Sequence, residues 1–106
     1  MANIVDLVKK ELDPTDQVQH QYRALYDRKE GSLVLTNNRL IFLEQRGFFS
    51  ASYHITLEIP YEKINTVTAT ASHALELEIE DKKYHFTSLG DINAKVIVEE
   101  ITALAS

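Results

Sequence analysis

The chain has no cysteine, no tryptophan, and only three glycines and two prolines in 106 residues. Without cysteine there can be no disulfide framework, thiol nucleophile or thiolate metal site. Ordinary apolar packing must therefore hold the fold, and a chain of about 100 residues suits one core rather than two. Scarce glycine and proline leave no linker or low-complexity run. Long apolar stretches are also missing. Leu40-Ile41-Phe42-Leu43 and Val96-Ile97-Val98 fall far short of the ~20 residues that a membrane-spanning helix needs. The first residues include Asp6 and Glu11 in a helix-like pattern, not an apolar signal segment. These absences predict a soluble, cytoplasmic protein.

Basic charge is in deficit as well: 11 Lys and Arg against 16 Asp and Glu give a formal net charge of −5. This removes the electrostatic footprint of nucleic-acid binding. It also disfavours general adhesion to anionic membranes, although a local basic patch can still act. Catalytic patterns are absent too. His20, His54, His73 and His85 are scattered, with no two at metal-ligand spacing on one element. Ser32, Ser50, Ser52 and Ser88 lack a nucleophile motif. Glu76, Glu78 and Glu80 read as one wet strand face rather than an acid–base pair, and no glycine-rich phosphate loop occurs. The expectation is a non-enzyme with no catalytic residue, metal or cofactor.

What the sequence does contain is periodicity. Ile4, Leu7, Val8 and Leu12 fall near one helical face, so Asn3 to Leu12 predicts a short helix, ended by Asp13-Pro14. From Gln17 the period becomes two. Val18, His20, Tyr22, Ala24 and Tyr26 alternate with polar residues, and Asp27 to Gly31 reads as a turn. Ser32–Thr36 and Arg39–Arg46 are strands around an Asn37-Asn38 turn, where asparagine tolerates left-handed geometry. Ile55, Leu57 and Ile59 alternate with His54, Thr56 and Glu58. After Pro60, one helical turn over Tyr61–Ile64 leads to a Thr-rich strand over 65–72. Leu75, Leu77 and Ile79 alternate with Glu76, Glu78 and Glu80, and an Asp81-Lys82 turn precedes a strand with Tyr84 and Phe86 inward. Ala94, Ile97, Val98, Ile101, Leu104 and Ala105 recur at helical spacing, with Asp91 as cap. The prediction is helix and linker over 1–16, then a domain over 17–106: a mainly β, seven-stranded antiparallel barrel plugged by the final helix.

Two stretches resemble a known family. Gly31-Ser-Leu-Val-Leu-Thr-Asn-Asn-Arg-Leu-Ile-Phe-Leu43 is similar to a signature of bacterial pleckstrin-homology (PH)-like domains and their GRAM relatives. Leu57-Glu-Ile-Pro-Tyr-Glu-Lys-Ile64 with Thr66 and Val67 resembles the Ile-Pro step of the same families. The likeness covers about Gln17 to Leu104 and is nearest to the YokE-like branch. It implies the PH-like barrel with its C-terminal helix, a binding role rather than catalysis, and a tendency to self-assemble. Function does not follow from fold alone.

Several residues are candidates for an interaction surface. Arg28 and Lys29 sit in the first turn beside Asp27 and Glu30, and read either as a solvated turn or as headgroup contacts. Phe48 and Phe49 read either as a barrel-end cap or as an exposed apolar contact, with Arg46 beside them. Ile92, Val96 and Ala103 form a second flank of the last helix. The N-terminal stripe must pack on its own barrel or on another subunit. Arg39 reads as a structural residue, pairing with turn carbonyls or a carboxylate. The expected function is a module that binds protein segments, itself included, through Phe48-Phe49, the N-terminal helix or an open strand edge. The alternative is a peripheral membrane module using Arg28, Lys29 and Arg46 for lipid headgroups and the phenylalanines for insertion.

Overall fold

The structure is a computed structural model and describes residues 15–47 and 52–105. The helix expected over residues 3–12, and Phe48 and Phe49, lie outside the described residues. Within them run β1 (Val18–Tyr26), β2 (Lys29–Thr36), β3 (Arg39–Arg46), β4 (Ser52–Pro60), a 3-10 turn (Tyr61–Lys63), β5 (Thr66–Ala71), β6 (Ala74–Ile79), β7 (Lys82–Thr87) and helix α1 (Ala94–Ala105). All seven strands share one antiparallel sheet in the order β4-β3-β2-β1-β7-β6-β5. The meander is thus closed between its first and last strands, not between its fourth and fifth.

That closure is short. β1 and β7 pair only at Leu25 with Thr87 and at Tyr26 with Phe86. Tyr26 packs there against Phe42 and Phe86, with ring centroids 5.4 and 5.1 Å apart. Away from this junction the sheet opens, and α1 covers the opening. Its Ala94, Ile97 and Ile101 are wholly buried, in one core cluster with Leu33, Leu35, Leu40, Leu75 and Leu77. Burying each isoleucine contributes roughly 1.5–3 kcal/mol. Glu100 ties the helix to β1, accepting a hydrogen bond from the Tyr22 hydroxyl and lying 2.6 Å from His20 Nδ1. Tyr61, from the 3-10 turn, donates to the Thr36 carbonyl at 2.6 Å and seals the same end.

Local geometry departs from the sequence expectation at four points. The first turn is only Asp27-Arg28, both with positive φ (51° and 64°). This is the mirror-image hairpin geometry that suits strand twist, and it extends β2 back to Lys29. Asn37 and Asn38 act through side chains instead: Asn37 Oδ1 accepts from the Gln17 backbone at 2.6 Å, and Asn38 Nδ2 donates to Asp16 at 3.0 Å. Thr36 Oγ1 closes that turn by accepting from the backbone of Asn38 and Arg39. The β6–β7 turn falls one residue early, with Glu80 at φ 55°. The cap of α1 is Asn93 rather than Asp91, its Oδ1 accepting from the Lys95 backbone at 2.9 Å.

A β-bulge has the largest effect. Phe42 pairs with Leu57 but Leu43 pairs with Ile55, leaving Thr56 as the extra residue. A bulge flips every side chain beyond it. Leu57 and Ile59 therefore face the core, whereas Ile55 joins Val34, Ile41, Leu43, Val18 and Tyr53 in a second apolar cluster on the outer face. Arg39, on that same face, pairs with Asp16 at 2.8 Å and Glu58 at 3.0 Å.

β3 approaches β2 closely at Gly31. A Cβ there would lie 1.9 Å from the Leu43 carbonyl oxygen and 2.8 Å from Phe42 Cζ. Gly31→Ala is expected to cost about 1–3 kcal/mol, the usual range for overpacking. Urea unfolding checks this: the midpoint should fall with the slope unchanged.

Candidate functional site

Three surfaces gather the residues with binding chemistry. The first is the barrel rim where the Asp27-Arg28 turn meets the ends of β3 and β4. Alternation along β3 places Glu44 and Arg46 on the same side as the core residue Phe42, and Glu44 stands opposite Gly31 and His54. Lys29 Nζ lies 3.9 Å and Arg46 Nη2 3.1 Å from the same Glu44 oxygen. Ser52 Oγ contacts His54 Nε2 at 3.1 Å beside them. The hydrogen bond from Arg46 holds the Glu44 carboxyl below its ordinary range; partial burial opposes this, and the charges of Arg46, Lys29 and His54 add to the lowering. Glu44 therefore stays ionised through mild acid. Two of the three cations expected to face a lipid headgroup thus already share a buried carboxylate. Arg28 projects from the turn, exposed. The segment that would carry Phe48 and Phe49 joins this rim between Gly47 and Ser52, outside the described residues.

The second surface is the flank of α1. Val96 is 41% exposed, whereas Ile92 is half-buried against the core. One exposed valine beside a partly covered isoleucine makes a small patch. Ordinary monomers carry such patches freely.

The third surface runs along β5, which among the described residues pairs with β6 alone and has no strand on its other edge. α1 begins where β5 ends, since the Ala94 N–H donates to the Ser72 carbonyl at 2.7 Å. It then runs beside the strand. Between the two lie a depression of about 560 Å³ lined by Ile64, Thr66, Val67, Thr68, Ile101 and Thr102, and one of about 260 Å³ against Ala69–Ser72, Asn93 and Lys95. No residue from Asn65 to Ser72 is charged.

The sequence-predicted residues divide accordingly. Lys29 and Arg46 are brought together with Arg28 nearby, while Ile92 and Val96 lie apart on the helix side. Glu44 carries no mark in the sequence, because the pairing that draws Lys29 and Arg46 to it depends on the register of β2, β3 and β4. The β5 groove left a readable sign in its charge-free, Thr-rich run; its other wall, Ile101, Thr102 and Ala105, is set by the helix position. Among the described residues no group of three His, Asp or Glu side chains could hold a metal ion, and no helix is long and apolar enough to cross a membrane.

Comparison with known proteins supports this architecture. Among solved structures, the C-terminal domain of an unknown protein from Leishmania infantum superposes with a TM-score of 0.75 at 15% identity, covering 98% of this chain and all of that one. A DUF1696 family protein with a pleckstrin-homology domain, from Shewanella loihica PV-4, gives 0.65 at 20% identity over 99% of this chain and 95% of that one. The linker-DH/PH domains of p115-RhoGEF give 0.64 at 13% identity; 99% of this chain is covered and 34% of that larger one. At such identities the likeness shows the fold alone. No curated protein matches. The profile of the bacterial PH domain family matches residues 8–103, nearly the whole chain. The chain belongs to the bacterial PH domain family.

Proposed function

We propose that this domain is a non-catalytic interaction module that takes an extended protein segment along the free edge of β5, a second copy of the domain being its first such partner. The observation that carries this reading is an uncharged strand edge, unpaired among the described residues, beside a groove. An exposed edge offers a row of unpaired N–H and C=O groups, and proteins usually blunt it with charge, proline or a bulge. β4, the other edge, has all three devices: Glu58, Pro60 and the bulge at Thr56. β5 has a bulge only at its far end, near Thr70, so Thr66–Ala69 is regular and open. An incoming strand would gain backbone hydrogen bonds from β5 and place alternate side chains in the groove against α1, as strand addition requires. Two copies suit each other because a charge-free edge meets its twin without like-charge repulsion, even on a molecule of net charge −5.

The membrane reading keeps one supporting feature, the cationic rim, and Glu44 weakens it. A cation near an anionic surface contributes about 1 kcal/mol, but Lys29 and Arg46 share one carboxylate, which cancels one of their two charges.

Two variants separate these readings. In light scattering after gel filtration, the mass of the wild type should rise with concentration. Thr68→Lys, which puts a charge on the exposed edge, should stay monomeric with an unchanged unfolding midpoint. A strict monomer throughout, or assembly indifferent to Thr68→Lys, would sink the strand-addition reading. In co-sedimentation with phosphatidylserine-containing vesicles at low salt, the wild type should remain in the supernatant. Glu44→Gln, by removing the one negative charge these two cations share, should raise partitioning about fivefold. Wild-type protein already in the pellet would favour the membrane module instead.

A further inference from the structure

The outer face of β2, β3 and β4 presents a row of apolar side chains that the barrel itself does not need. Val34, Ile41 and Leu43 project away from the core, yet each is wholly buried. Their apolar neighbours among the described residues, Val18, Tyr53 and Ile55, are only half-buried and stand on the same face. Among the described residues no other apolar side chain packs against the row. Leaving three large aliphatic side chains bare to water would forgo roughly 1.5–3 kcal/mol each.

The chain enters the described region at the foot of this row. The Asp16 side chain, 2% exposed, pairs with Arg39 at 2.8 Å. The Thr15 carbonyl accepts from Asn37 Nδ2 and Asn38 Nδ2, both at 3.3 Å. Arg39 precedes Ile41 and Leu43 on the same face of β3. The preceding residues bear the stripe Ile4, Leu7, Val8 and Leu12, separated from Thr15 only by Asp13-Pro14. At helical rise the ten residues Asn3 to Leu12 would span about 15 Å. The strand from Arg39 to Gln45 spans about 20 Å at ~3.3 Å per residue.

We propose that the segment preceding Thr15 docks on this outer face of its own barrel, seating Ile4, Leu7, Val8 and Leu12 on Val34, Ile41 and Leu43. A two-residue tether fixes the choice of occupant. It presents the stripe at an effective concentration in the millimolar range, which a second copy in dilute solution does not match. The Asp16–Arg39–Glu58 cluster then acts as the hinge pin that delivers the segment to the face. This docking is independent of strand addition at β5, which lies at the far end of the sheet.

The absence of cysteine makes the test clean. A nitroxide attached to Lys9→Cys in the full-length chain should broaden the amide signals of Ile41, Leu43 and Ile55, and leave those of β5 and β6 sharp. In a mixture where the nitroxide and the observed isotope are on different molecules, the broadening should vanish. Leu7→Asp/Val8→Asp in the labelled chain should abolish the broadening and raise anilinonaphthalene sulfonate fluorescence severalfold, with the β5–β7 signals retained. No broadening in the first sample, broadening that persists in the mixture, or an unchanged dye signal in the double variant would each overturn the proposal.

Discussion

A sheet of seven short strands cannot exclude water from its own interior when its first and last strands touch over only two residue pairs. This incomplete closure is the constraint on which the remaining features depend. Backbone pairing holds the sheet at Leu25–Thr87 and Tyr26–Phe86. Elsewhere the gap is filled by side chains of α1, chiefly Ile97 and Ile101, and by Tyr61. Because the helix is needed as a cover, it lies beside β5. Because the seam runs between β1 and β7, the free edges are β4 and β5. The groove along β5 is thus a consequence of how the core is sealed.

Polar side chains pin this arrangement where strands end. Glu100 joins α1 to His20 and Tyr22 on β1, and burial, followed by the hydrogen bond to Glu100, pushes the Tyr22 phenol well above its ordinary range. Arg39 holds Asp16 and Glu58, and so fixes both the entry of the chain and the end of β4. At the opposite rim Glu44 gathers Lys29 and Arg46. All four carboxylates stabilise local geometry, and each occupies cations or polar groups that would otherwise be open to a ligand.

Most of the architecture was legible because it depends on periodicity. Leu75, Leu77 and Phe86 alternate with polar residues and are fully buried, and Ala94, Ile97 and Ile101 repeat at helical spacing on the packed side of α1. Departures arose where one residue changes the phase. Thr56, as a bulge, turned Ile55 outward although its spacing matches Leu57 and Ile59. Asp27 and Arg28 took up left-handed geometry that propensity assigns to asparagine, because strand twist demanded it in a two-residue turn. The shared carboxylate at the rim was hidden for another reason: Lys29 and Glu44 are adjacent only through the pairing of β2 with β3. A charge-free stretch at β5 was visible in the sequence, but its position at an edge depends on which strands close the barrel.

Hydrogen exchange along β5 tests the central claim most directly, because it reads whether that strand has a partner on both sides. In dilute protein, alternate amides of Thr66–Ala69 should exchange rapidly while their neighbours, directed at β6, are protected, and amides throughout β2 should be slow. Raising the concentration should then slow the exposed set selectively. Uniform protection of β5 in dilute monomer would mean that its edge is already occupied, and uniform rapid exchange would mean that the β5–β6 pairing does not hold; either result contradicts the account.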